Sequence, residues 1–284
     1  MIPDFTGRIV GRRALPAIVM ALIAGCLCPA RAQTSSRERI KAFAKLPDWS
    51  GFWEWDVLVG QADGQQLSPE GLGKVQAYTA AVHPAFNAAW QAKYDQAKKA
   101  LDVAVAAAPD QPPATYQPCV APPFFLATAQ PGIYEWRVTP EETTLISTMG
   151  SVRHIYTDGR AHPPKDELWP TNMGDSVGHW EGDTLVVDTV ATKPEIRVPE
   201  RDIFFTVIPM SDQLHFVERI RMVNRNEMQI QFTTEDPIAL AKPMNVTLTW
   251  VRVTNTNRMT EENDCDPATD RNPVVNGRFT TVVR

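Results

Sequence analysis

The sequence predicts a mainly β protein, a single antiparallel up-and-down barrel with a helical insertion near its N-terminus. Three observations lead to that class. From Ile133 onward the chain runs in short segments where apolar and polar residues alternate with period two, separated by Gly, Asn and Asp turns. One Ala-rich stretch, Ser68–Ala108, interrupts that pattern with helical signals. A length of 284 residues and a hydrophobic fraction of 43% suit one large core rather than several domains.

The first segment is "MIPDFTGRIVGRRALPAIVMALIAGCLCPARAQ". It has a basic start (Arg8, Arg12, Arg13), a short apolar run and the small-residue site Ala30-Arg31-Ala32. Residues 1–32 therefore read as a secretory signal, and 33–284 as one exported domain, periplasmic or secreted. The apolar run is too short to span a membrane. Ile23-Ala24-Gly25-Cys26 also resembles a bacterial lipobox, so lipid anchoring through Cys26 is the alternative. Without the signal, Cys119 and Cys265 are left, and an even pair in an oxidising compartment is expected to form a disulfide. A catalytic thiol or a metal ligand is the competing role.

In "LPDWSGFWEWDVL", Trp53 and Trp55 alternate with polar neighbours as a first strand. Gly51-Phe52-Trp53 resembles the opening of lipocalin-like barrels, which sets the type of barrel expected. The insertion, 68–108, opens with an N-cap, Ser68, and a proline at the first helical position, Pro69. It reads as two helices broken near His83-Pro84, lying against the barrel or over its mouth. In "VRHIY", Val152, His154 and Tyr156 share one face and Arg153 and Ile155 the other. His154 and Tyr156 are a candidate proton-transfer pair inside the barrel, because both can donate and accept.

"SVGHWEGDTLVVDT" is a hairpin about the two-residue turn Gly182-Asp183, pairing Trp180 with Leu185 and His179 with Val186. His179 and the nearby Asp175 are its candidate functional groups. His162, before two prolines, sits in a loop where either a structural or a functional role is open.

The strongest pattern is "QLHFVERIRMVNRNEMQIQFTTEDP". Leu214, Phe216, Ile220 and Met222 share a face, and a three-residue loop, Asn224-Arg225-Asn226, sets Met222 against Met228 and Ile220 against Ile230. Glu218 falls on that apolar face, opposite Phe232, where an unpartnered carboxylate is costly. On the last strand, "NVTLTWVRV", Arg252 shares the apolar face of Val246, Leu248 and Trp250, so it is the expected partner of Glu218.

Several of these segments together are similar to a widespread family of exported bacterial proteins. The resemblance rests on "RHIYTDGRAHP", "MGDSVGHWEGDTLVVDT", "LHFVERI" and "TTEDPIALAKPMNVTLTW", with "DWSGFWE" before and "EENDC" after. It covers most of the chain after Cys119 and implies the pairing of Cys119 with Cys265, since both lie in shared segments. It implies no activity. The chain departs from the family pattern before Leu214, where members carry a Gly-x-Pro-His-Ser segment and this chain reads "VPERDIFFTVIPMSDQ".

A net charge of −5 gives no reason to expect a nucleic-acid partner. Gly-x-Gly-x-x-Gly, P-loop, His-Glu-x-x-His and Gly-x-Ser-x-Gly patterns are absent from the sequence, so no cofactor and no metal is expected. The expected function is action on a small apolar or aromatic molecule in the barrel cavity, as an acid–base lyase, isomerase or hydrolase. Glu218, His154, Tyr156 and His179 are the candidate catalytic groups; Arg252, Asp175, Trp180, Trp250 and Phe216 are the candidate substrate contacts. The alternative is a non-catalytic carrier on the same scaffold.

Overall fold

The computed structural model describes residues 35–56, 68–107, 124, 132–148, 150–201 and 204–254, with two short strands near the C-terminus. Residues 1–32, read above as a secretory signal, and both Cys119 and Cys265 lie outside the described residues. Three helices, α1 (Ser36–Phe43), α2 (Pro69–Ala81) and α3 (Ala88–Ala107), accompany the strands. The strands are β1 (Phe52–Trp55), β2 (Ile133–Val138), β3 (Glu142–Ser147), β4 (Val152–Tyr156), β5 (Asp175–Glu181), β6 (Thr184–Val190), β7 (Glu195–Arg201), β8 (Phe204–Pro209), β9 (His215–Asn224), β10 (Glu227–Glu235), β11 (Met244–Val253), β12 (Val274–Val275) and β13 (Arg278–Phe279).

Nine strands close into a barrel in the order β1-β11-β10-β9-β6-β5-β4-β3-β2. Closure removes every sheet edge, which an open sheet this wide would have to protect. All neighbours run antiparallel except β4 and β5, which pair in parallel through Ile155↔Ser176 and Tyr156↔Val177. A parallel pair needs a crossover. Residues 157–174 supply it as a strap on the outside of the wall, with a 3-10 turn at Lys165–Glu167. The hairpin β7–β8 stands apart from the barrel sheet.

Hairpin chemistry sets the registers. β5 and β6 turn at Gly182-Asp183, with Trp180↔Leu185 and His179↔Val186 paired as the sequence predicts. Gly182 holds φ +68°, a conformation a side chain disfavours. β9 and β10 pair Met222 with Met228, Ile220 with Ile230 and Glu218 with Phe232. The loop itself differs from expectation: Asn224 pairs with Glu227, leaving a two-residue turn and an irregularity between Glu227 and Met228. The bulge restores the apolar register that a plain two-residue loop would have inverted.

Inward positions fill the barrel with aromatic side chains. Trp53, Tyr134, Trp136, Phe216, Phe232 and Trp250 are all essentially inaccessible. Tyr134 stacks on Trp250 at 4.3 Å, and Trp136 meets Trp49 edge-on at 5.6 Å. The insertion packs against the barrel and joins its buried cluster. α2 packs on β11, with Tyr78 against Trp55 at 4.7 Å, and α3 packs on β8. The break falls at 82–87, where Asn87 caps α3 by accepting from the Ala89 and Trp90 amides.

Candidate functional site

The wall formed by β5, β6 and β9 carries polar chemistry on both of its faces. Period-two alternation sends Ser176, Thr189, Phe216 and Glu218 inward, and Asp175, Asp188 and His215 outward.

On the inner face, Glu218 is 1% exposed and paired with Arg153 of β4, itself 2% exposed. Arg153 donates Nη1 to Oε1 at 3.0 Å and Nη2 to Oε2 at 2.5 Å. The same guanidinium reaches the hydroxyls of Ser176 and Thr189 and lies 4.5 Å from the Phe124 ring centroid. This satisfies the bidentate geometry and the spare donors that make burial of two charges tolerable. On the next row of β5, Gly178 makes room for Ile155 and Leu185, since a Cβ there would lie 3.0 Å from Ile155 Cγ2.

On the outer face, imidazoles and carboxylates alternate. His162, from the strap, reaches Asp175 with Nδ1 at 2.5 Å and Asp188 with Nε2 at 3.0 Å. His215 reaches the same Asp188 oxygen with Nε2 at 3.0 Å and Glu235 with Nδ1 at 3.4 Å. Hydrogen bonds from both rings hold the Asp188 carboxyl well below the usual carboxylate range. Asp188, in turn, is the main reason both histidines are raised above 6.5. A neutral imidazole could donate to only one of its two carboxylates, so the geometry favours the doubly protonated ring.

A cleft of about 470 Å³ opens beside this ladder, between the strap, the end of β6 and the lead-in to β9. His162 and His215 line it together with apolar residues such as Leu168, Pro170, Val190 and Leu214. Two further features mark its wall. Ala191 has φ +53°, the one non-glycine residue with positive φ among those described, and such strain concentrates at sites of function. Next to it, Thr192 is 6% exposed, lines the cleft, and its hydroxyl has no hydrogen-bond partner. Among the described residues no group of three or more His, Cys, Asp or Glu is placed to hold a metal ion.

The residues singled out in the sequence scatter across this geometry. Glu218 and Phe216 lie inside the barrel, and Trp250 is buried there too. Arg252 is not the partner of Glu218. It lies at the barrel end over the Trp53 ring at 4.3 Å, donating to the carbonyls of Arg225, Asp48 and Ser50. Three backbone acceptors at a rim serve a guanidinium better than a carboxylate several rows deeper. His154 and Tyr156 do not enter the barrel. Ile155 and Arg153 take the inner positions of β4, which turns His154 outward to Glu142 at 2.5 Å and Tyr156 beneath Arg160.

His179 is also on the outer face, 3.2 Å from Glu181. Trp180 is half-buried, edge-on to Trp49 at 5.2 Å. Asp175 joins the ladder. Reading single strands missed Arg153, Asp188, His215, Glu235 and Thr192. The parity of β4 could have revealed Arg153; the others needed the pairing of β6 with β9. Comparison with family models, with curated proteins and with solved structures finds no match for this chain.

Proposed function

We propose that the protein is an exported acid–base catalyst acting on a small, largely apolar molecule held in the outer cleft. The carrying observation is the ladder Asp175–His162–Asp188–His215–Glu235 beside a concave apolar wall. Of the four imidazole nitrogens, Nδ1 of His215 has the longest contact, 3.4 Å to Glu235. It is the position a substrate oxygen would take. Asp188 fixes the ring from Nε2 and stabilises its protonated form, so His215 would give a proton at Nδ1 and recover it later. The signal-like N-terminus and the family resemblance support export.

The test starts from the compound that co-purifies with the protein, identified by mass spectrometry and followed for product. His215→Gln is expected to lower turnover by roughly 100-fold or more, the usual worth of a positioned acid or base. Turnover equal to that of the parent would overturn the assignment.

A second reading has one observation in its favour. The indole N–H groups of Trp49, Trp136 and Trp250 are buried in the barrel with no acceptor. Buried donors are nearly always satisfied, so a guest that parts this aromatic packing and offers acceptor oxygens to the indoles would make the protein a carrier instead. Under that reading His215→Gln leaves binding intact and Trp136→Phe weakens it.

A further inference from the structure

We propose that the cleft selects an uncharged molecule, with an apolar body and a single hydroxyl or carbonyl head seated on Thr192. This rests on the cleft being the site of the proposed function, and it specifies what enters. The first argument is charge. Among the described residues Asp175, Asp188 and Glu235 face only His162 and His215 as cationic partners, so even with both rings protonated the cluster keeps a negative charge. Lys165, at the rim, is already paired with Asp212 at 2.7 Å. Among the described residues that line the cleft, a carboxylate or phosphate ligand meets no cation that is not already paired, and it meets a negative background. A cation fares little better. The net negative charge attracts it, but the cluster is partly exposed and mostly neutralised by its imidazoles, so that attraction is small beside the water an ammonium would give up among the apolar residues of the cleft.

The second argument is the Thr192 hydroxyl. Thr192 follows the strained Ala191, and its methyl is set towards Gly174, where a Cβ would approach it to 2.8 Å. That wall fixes the side chain and leaves a buried hydroxyl without a partner. A hydroxyl both donates and accepts, so it matches an alcohol or a carbonyl equally. Around it Leu168, Pro170, Val190, Pro194 and Leu214 supply the apolar part of the lining, while Ser211, Asp212 and Gln213 keep one side polar.

Three probes with one ring and three charges decide it: benzyl alcohol, benzoate and benzylamine, titrated at pH 7 while the amide signals of Thr192 and His215 are followed by NMR. Benzyl alcohol is expected to bind at least ten-fold more tightly than either charged probe. Thr192→Val, which keeps the shape and removes the hydroxyl, should weaken benzyl alcohol about five-fold; Thr192→Ser should restore it. Benzoate or benzylamine binding as well as the alcohol would overturn the proposal, as would the absence of any shift at these residues. The two readings fail separately: charged probes binding as well as the alcohol, with turnover still lost in His215→Gln, would overturn this proposal alone, whereas parental turnover in His215→Gln with the preference for the alcohol intact would overturn only the acid–base reading.

Discussion

Arg153 shows how one buried charge constrains its neighbours. Its three guanidinium nitrogens donate to Glu218, Ser176 and Thr189, all on the inner face. Removing one partner strands the other in a low-dielectric interior, a change that typically costs about 3–5 kcal/mol. Glu218→Gln is therefore expected to lower the melting temperature strongly. The double change Glu218→Leu with Arg153→Met should recover most of the loss, because two apolar side chains need no pairing. Thermal denaturation of the three variants checks this; a double variant no more stable than Glu218→Gln would show that the pair itself sustains the fold. The sequence identified the misfit at Glu218 correctly, since parity alone places it among Phe216 and Ile220. It could not identify the partner. Arg153 and Glu218 are brought together by strands that are not hydrogen-bonded to each other, and alternation within one strand says nothing about the opposite wall.

The element that organises the site is the β5–β6 hairpin, whose faces carry different chemistry. Its turn and pairings are local, so the sequence specified them: Gly182-Asp183 dictates the register, and Leu185 and Val187 dictate which face is buried. The strap is another matter. Nothing in "TDGRAHPPKDELWPTNMG" reports that β4 and β5 run parallel, and only that crossover lays His162 against Asp175 and Asp188. The clamp should depend on pH. His162 faces Asp175 from β5 and Asp188 from β6; His215 of β9 shares Asp188 and faces Glu235 of β10; Lys165 and Asp212 pair at the rim.

Both histidines are raised above 6.5 by these carboxylates. Their contribution is thus full below about pH 6.5 and lost as pH rises through their folded-state values. Asp188 is lowered, so its contribution is lost only in strong acid, well below the ordinary carboxylate range. Amide exchange in 157–174 is therefore expected to accelerate between about pH 6 and pH 9 beyond the intrinsic base-catalysed rate, and His162→Gln should remove that excess. An excess that survives the substitution would place the switch elsewhere.

At the scale of the molecule, the insertion and the barrel share one core. Val82, Phe86 and Tyr94 belong to the same buried cluster as Trp55, Ile208 and Phe232, and α3 reaches β8 through Trp90, whose indole donates to the Pro209 carbonyl at 2.9 Å. The junction is tied at one residue. Asn87 caps α3 with its side-chain oxygen, gives its amide nitrogen to the Ile238 carbonyl at 2.7 Å and donates its backbone N–H to Ala239. An insertion that merely covered the barrel would melt first and alone. A shared core predicts instead that helix and barrel signals disappear together. Asn87→Ala removes a helix cap, a loss of about 0.5–2 kcal/mol. It should lower a single transition, with far-ultraviolet and near-ultraviolet dichroism still coinciding. If the variant instead loses helical signal tens of degrees before its aromatic signal, the two parts fold separately, and the β8 surface beneath α3 is a docking face rather than part of one interior.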